Sequence, residues 1–110
     1  MPTQGESVGT YDPTYLLKDA AKSVSRTAEA LAGGQAAWDR PRDISKSLEL
    51  LRDLVGDLSQ VLLQQAGALP RMTGDSGAPA AGRHIAEAAA IAAQLGNQLR
   101  RAHDATDGVR

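Results

Sequence analysis

Apolar residues recur along this chain at alternating intervals of three and four, in three separate stretches. In the first, Leu17, Ala21, Val24, Ala28 and Leu31 fall on one line, the spacing that stacks side chains on one face of a helix. Asp12-Pro13 precedes it, pairing a good N-cap with a residue whose backbone is preset for the first helical turn. Gly33-Gly34 closes it, because glycine accepts the left-handed conformation that ends helices. These signals predict a helix over residues 13–32.

The second stretch carries the strongest pattern. Behind Asp39-Arg40-Pro41, Ile44, Leu48, Leu51, Val55, Leu58 and Leu62 form one seam, and Leu50, Leu54 and Val61 widen it on one side. At 100° per residue the apolar arc spans roughly 160°, wide enough to serve two neighbours. Gly67 followed by Pro70 predicts the stop, giving a helix over 41–66 and a loop from Arg71 to Gly77. The third stretch, with Pro79 near its start, has its seam at Ile85, Ala88, Ala92, Leu95, Leu99 and Ala102. Its small residues, Ala88, Ala89, Ala92 and Gly96, make a smooth face that lets another helix come close. This predicts a helix over 79–103.

Three antiparallel segments with short connections specify an all-α fold, a three-helix up-down-up bundle with coiled-coil-like packing. An alternative is a long hairpin of the second and third helices that pairs with its copy into four helices. Residues 1–11, polar and without periodicity, read as a flexible tail; residues 12–104 form the bundle domain, and 105–110 a frayed end.

Composition sharpens this picture. Of 110 residues 42% are apolar, yet 20 of those are Ala, Phe is absent, and aromatics amount to 3%. A domain of this length buries roughly two-thirds of its unfolded surface, and burial stabilises by roughly 25 cal/mol per Å². An alanine-rich bundle therefore packs very closely or recruits a second copy, so self-association, most simply as a homodimer, is expected. The net charge of -1 offers no long-range field for a polyanion or an anionic membrane. Cysteine is absent, which excludes disulfides, thiolate nucleophiles and cysteine-based zinc sites. No apolar run approaches the roughly 20 residues of a membrane span, and the first residues lack a signal peptide's basic and apolar regions. A soluble cytoplasmic protein is expected, and the Ala, Gly, Arg and Asp usage fits a GC-rich bacterial genome.

Candidate chemistry is sparse. His84 and His103 are about 100° apart around a helix and about 29 Å apart along it, so they cannot share a metal within one chain. Glu49, Asp53 and Asp57 stand four apart opposite the leucine seam, where they read as a solvated face, because acid–base work needs carboxyls in a dry cleft. Arg40, Arg42 and Arg71 flank the loops, and Arg100-Arg101 stands near a helix end that favours cations. No aromatic accompanies them for base stacking. No nucleophile–base set and no phosphate loop is present, so neither an enzyme nor a cofactor or metal site is expected.

The residues singled out for contact with partners are Tyr15, which projects opposite the first seam, Trp38 between the first two helices, Leu50, Leu54 and Val61 on the excess arc, and Ala88, Ala92, Leu95 and Leu99 on the third helix. Trp in particular is enriched among interface anchors. Together they predict a non-enzymatic interaction or adaptor module, homo-oligomeric, presenting a helix face to a larger protein. A second reading is a small accessory or regulatory nucleic-acid-associated protein acting as a dimer, with Arg40, Arg42 and Arg100-Arg101 as phosphate contacts.

A lone Trp38 in the first inter-helix turn of a short cysteine-free helical chain, with Tyr15-Leu-Leu-Lys-Asp19 in Tyr-x-x-x-Asp form, resembles in shape the WXG100-type substrates of type VII secretion. The resemblance implies a secreted helical-hairpin substrate. The chain departs from that pattern in having Asp39-Arg40 rather than a glycine turn after the tryptophan, in placing the tyrosine motif within the first helix, and in having a third helix.

Overall fold

The computed structural model describes residues 12–110, which hold three helices, α1 (Pro13–Ala32), α2 (Pro41–Met72) and α3 (Ala78–Asp107), and no strand. The expected tail, residues 1–11, lies outside the described residues. The chain divides between Ala37 and Trp38 into two units, α1 in one and the α2–α3 hairpin in the other.

In α1 the cap signals operate as their chemistry dictates. Asp12 takes an extended backbone and its carboxylate accepts from the Thr14 N–H at 2.9 Å. At the other end Gly34 has φ of 72°, and the N–H groups of Gln35 and Gly34 donate to the carbonyls of Ala30 at 2.8 Å and Leu31 at 3.2 Å. That pair of bonds is a Schellman closure, which needs the left-handed residue that only glycine supplies without strain. No residue of α1 is buried.

The helices α2 and α3 run antiparallel. Three cross-links set their register: Ser45 Oγ donates to the Asp107 carboxylate at 3.2 Å, Ser59 Oγ donates to the Ala89 carbonyl at 3.0 Å, and Gly82 lies against the Ala66 carbonyl and the Pro70 ring. Residues 73–77 form the turn between them, where Thr73 Oγ1 accepts from the Asp75 N–H at 3.1 Å and the Asp75 carboxylate accepts from the Gly77 N–H at 2.8 Å.

Helix α2 passes through Gly67 and Pro70, where the sequence reading placed its end, and stops at Met72. Proline lacks the N–H that would bond the carbonyl four residues back, so Ala66 loses its usual intrahelical donor at Pro70. Helix α3 answers this with Gly82, a buried residue without a side chain, seated over that carbonyl. A Cβ at Gly82 would stand 3.1 Å from the Ala66 oxygen and 3.3 Å from Pro70 Cγ. The irregular last turn of α2 is thus held by the close approach of the neighbouring helix.

The core between the helices consists of small residues. Val55, Ala78, Ala89 and Ala92 are its buried apolar members, together with Ser45 and Ser59. Among the described residues no large side chain is fully buried. A buried hydroxyl costs free energy unless it is bonded, and both serines are. The interface between α2 and α3 is therefore built for short distance between backbones rather than for large area.

Two glycine substitutions separate these effects. Gly82→Leu is expected to lower stability by about 1–3 kcal/mol through overpacking, whereas Gly56→Ala, with nothing within 4 Å of the added Cβ, is expected to raise it by about 0.5–1 kcal/mol. Urea unfolding followed by circular dichroism measures both, and equal shifts of the two midpoints would contradict this packing.

Candidate functional site

The face of α2 that meets α3 is centred on Ser45, Leu48, Arg52, Val55, Ser59, Leu62 and Ala66, all buried or half-buried. Relative to the seam expected from the leucines it is turned by about 50° around the helix. Helix α3 is turned in the same sense: Gly82, Ala89 and Gly96 face α2, while Ala88 and Leu95 are exposed. Both rotations leave the unused part of the apolar arc on one side of the hairpin.

That side is an open apolar flank. On α2 it carries Ile44, Leu51, Leu54 and Leu58, each between 41% and 44% exposed, with Leu50 at 56% further round the helix, away from α3. On α3 it carries Ile91 at 64% and Leu95 at 48%. At the turn end Met72 is 79% exposed and adjoins a shallow apolar depression with Leu69 and Ile85. At the opposite end Trp38, Asp39, Arg40, Pro41, Ile44, Thr106 and Val109 line a second depression, so the tryptophan belongs to the hairpin's flank and has two charged neighbours there.

Charge on the flank is confined to its ends: Asp39 and Arg40 line the Trp38 depression, and Glu87 contacts His84 near the start of α3. Positions 44, 47, 51, 54, 58, 61, 65, 68 and 72 of α2 are Ile, Ser, Leu, Leu, Leu, Val, Gln, Ala and Met. Positions 81, 84, 88, 91, 95, 98, 102, 105 and 109 along the matching side of the α3 segment are Ala, His, Ala, Ile, Leu, Gln, Ala, Ala and Val. Charged residues make up 23% of the chain, so their scarcity between these ends leaves a stretch of exposed apolar surface.

The opposite flank is polar. Arg52, Gly56, Ser59 and Gln60 of α2 and Gly96, Asn97 and Arg100 of α3 line an open groove of about 400 Å³. Ion pairs are local in sequence: on this side Lys46 meets Glu49 at 2.7 Å and Arg52 meets Asp53 at 3.6 Å, while at the Trp38 end of the apolar flank Arg40 meets Asp43 at 3.3 Å. The Lys46 ammonium bonded to Glu49 holds that carboxyl below its ordinary value, and Glu49 in turn raises Lys46. His84 contacts Glu87 at 3.2 Å and His103 contacts Asp104 at 3.1 Å. Among the described residues no three His, Cys, Asp or Glu side chains are grouped to hold a metal ion, and no helix is long and apolar enough to cross a membrane.

Of the residues singled out from the sequence, Trp38, Leu50, Leu54, Val61, Ala88 and Leu95 fall on or beside the open flank, while Ala92 and Leu99 turn toward α2. Tyr15 lies on α1, in the other unit, and is exposed. Ile44, Leu51, Leu58 and Ile91 join the flank without having been singled out. The signal for the first three was present, since a 160° arc is wider than one neighbour occupies; they were assigned to the internal seam because they were its most regular members. Arg40 is engaged by Asp43, and Arg101 donates to Gln98 at 3.4 Å.

The start of α2, which carries Trp38 to the flank, is held by Asp43. Its carboxylate accepts from the N–H groups of Arg40 at 3.1 Å and Asp39 at 3.3 Å, as the third residue of a helix does in a capping box. Desolvation works the other way, but the Arg40 guanidinium and these two backbone donors prevail and hold the Asp43 carboxyl below its ordinary value.

No protein-family model, no curated protein and no solved structure matches this chain.

Because the folded form lowers the pKa of Asp43, its contribution to stability is present above the ordinary carboxylate range and is lost as pH falls through the folded value. Asp43→Asn is expected to remove this acid-side dependence and loosen the first turn of α2. Amide hydrogen exchange of residues 40–44 between pH 3 and 6 reads it, and identical pH dependence in wild type and variant would refute the role of the cap.

Proposed function

We propose that this protein is a non-enzymatic interaction module of the adaptor kind, self-associating and presenting a helix face to a larger protein. The observation that carries this reading is the apolar flank of the α2–α3 hairpin, along which large aliphatic side chains stand 41–64% exposed. Scattered exposed leucines are ordinary, but a contiguous row bounded by polar faces marks a contact surface. Bundle completion and helix-in-groove docking are the physical modes such a flank serves.

Small domains that cannot bury enough apolar area alone are commonly held by oligomerisation. The Ser, Ala and Gly interface between α2 and α3 is of that kind, and α1 adds a further amphipathic stripe through Leu17, Val24 and Leu31.

Size-exclusion chromatography with light scattering, together with binding of an apolar dye, tests the reading. The expected result is a mass above the 11.5 kDa of one chain that rises with concentration, with dye binding strongest in dilute samples. A monomer at high micromolar concentration that binds no dye overturns it.

A further inference from the structure

We infer that the polar groove between α2 and α3 is a binding site for a small phosphate monoester. The phosphate lies between Arg52 and Arg100, and a hydroxylated body lies over Gly56 and Gly96. This flank is opposite the apolar one, so the site stands apart from the interaction reading above and does not depend on it.

The two glycines lie inside helices, where glycine costs stability relative to alanine. Packing accounts for Gly82 but for neither of these. A Cβ at Gly56 would meet nothing within 4 Å, and one at Gly96 would meet only Val55 Cγ1 at 3.9 Å, an ordinary contact. The space they leave open is the floor of the groove, whose volume of about 400 Å³ falls within the range of small-ligand sites. Glycine at such a place lets a ligand come down onto the backbone.

The contacts of Ser45 with Asp107, Ser59 with Ala89 and Val55 with Gly96 place Arg52 and Arg100 within about one helical turn of each other along the axes. Arg52 is the charged member of the line of α2 that meets α3, and it is half-buried. Its stem is therefore held by packing, and its guanidinium has less freedom to lose on binding. Two guanidiniums at one level repel each other, and the neighbouring carboxylates answer that charge only in part. Asp53 meets Arg52 at 3.6 Å, Glu49 is taken by Lys46 at 2.7 Å, and Asp104 contacts His103 at 3.1 Å. Among the described residues Arg100 is in no ion pair, and no acidic residue lines the groove.

Charge and geometry then select the ligand. A single arginine satisfies a carboxylate through a two-pronged bond. A tetrahedral phosphate instead offers oxygens to two guanidiniums that arrive from different helices, and its double charge balances both. From the arginines the groove runs to Gln60, about 12 Å further along α2. The Ser59 hydroxyl is committed to the Ala89 carbonyl, so the polar groups left for a ligand are the amides of Gln60 and Asn97. Amides both donate and accept, which suits hydroxyl groups rather than a second charge or an apolar ring.

Heteronuclear NMR of the full chain tests this, with the Gly56 and Gly96 amides as reporters and inorganic phosphate, glucose 6-phosphate and glucose as probes at constant ionic strength. Glucose 6-phosphate is expected to shift both amides saturably at millimolar concentrations, phosphate to bind about tenfold more weakly, and glucose to leave them unmoved. Arg52→Gln and Arg100→Gln are each expected to weaken binding about tenfold or more. Arg101→Gln, which removes the adjacent arginine that donates to Gln98 outside the groove, is expected to leave it unchanged. Gly56→Leu is expected to fill the floor and abolish binding while circular dichroism shows the helices intact, which separates loss of the site from loss of the fold. The site is overturned by absence of saturation with glucose 6-phosphate, by equal affinity for bare phosphate, by equal weakening in Arg101→Gln, or by full binding in Gly56→Leu. Each of these results leaves the reading of the apolar flank standing.

Discussion

Close approach between α2 and α3 is the constraint on which the rest of this structure depends. Serine, alanine and glycine occupy the line of contact, and two features make that line the favoured one. Hydroxyls of Ser45 and Ser59 are bonded across it, and Gly82 fits over the carbonyl that Pro70 leaves without its helical donor. A rotation bringing the leucines between the helices would push the backbones apart and break all three of these contacts. The small residues thus decide the orientation, and the large residues are displaced to the side.

That displacement links packing to the character of the surface. A helix pair held by short distance buries little area, so its stability is small and is sensitive to additional burial on a neighbouring face. The neighbouring face is the apolar flank, with Trp38 at one end and Met72 at the other. The flank remains available because it is not consumed by folding of the hairpin. Polar residues and same-helix ion pairs, each worth little by itself at a surface, populate the opposite side and keep it in water. The hairpin is therefore two-sided, with one apolar flank and one polar flank, and the distinction arises from residue chemistry at successive positions of the same two helices.

The ends of the helices are governed by local bonding. Asp12, Asp43 and the Gly33-Gly34 pair satisfy backbone groups that a helix leaves open at its termini, and they do so within a few residues of sequence. The 73–77 turn is similar: Thr73 and Asp75 accept from backbone N–H groups two residues on, which aims α3 back along α2. By contrast, Gly67 and Pro70 are ordinarily helix-ending residues, and their outcome depends on a residue twelve or more positions away.

What the residues determine by themselves is the existence, number and approximate limits of the helices, because capping and three–four periodicity are local and each carries its own physical cause. The broad arc of α2 was also legible, and with it the prospect of a second neighbour, since Leu50, Leu54 and Val61 lie too far around the helix to share one partner with Val55. Only the tertiary structure decided which edge of that arc meets α3. A hydrophobicity pattern weights Leu51 and Leu58 above Ser45 and Ser59, so it points to the bulky edge. Contact between helices instead rewards small side chains, bonded hydroxyls and a glycine opposite a free carbonyl, and these are properties of a pair of surfaces that neither surface displays alone.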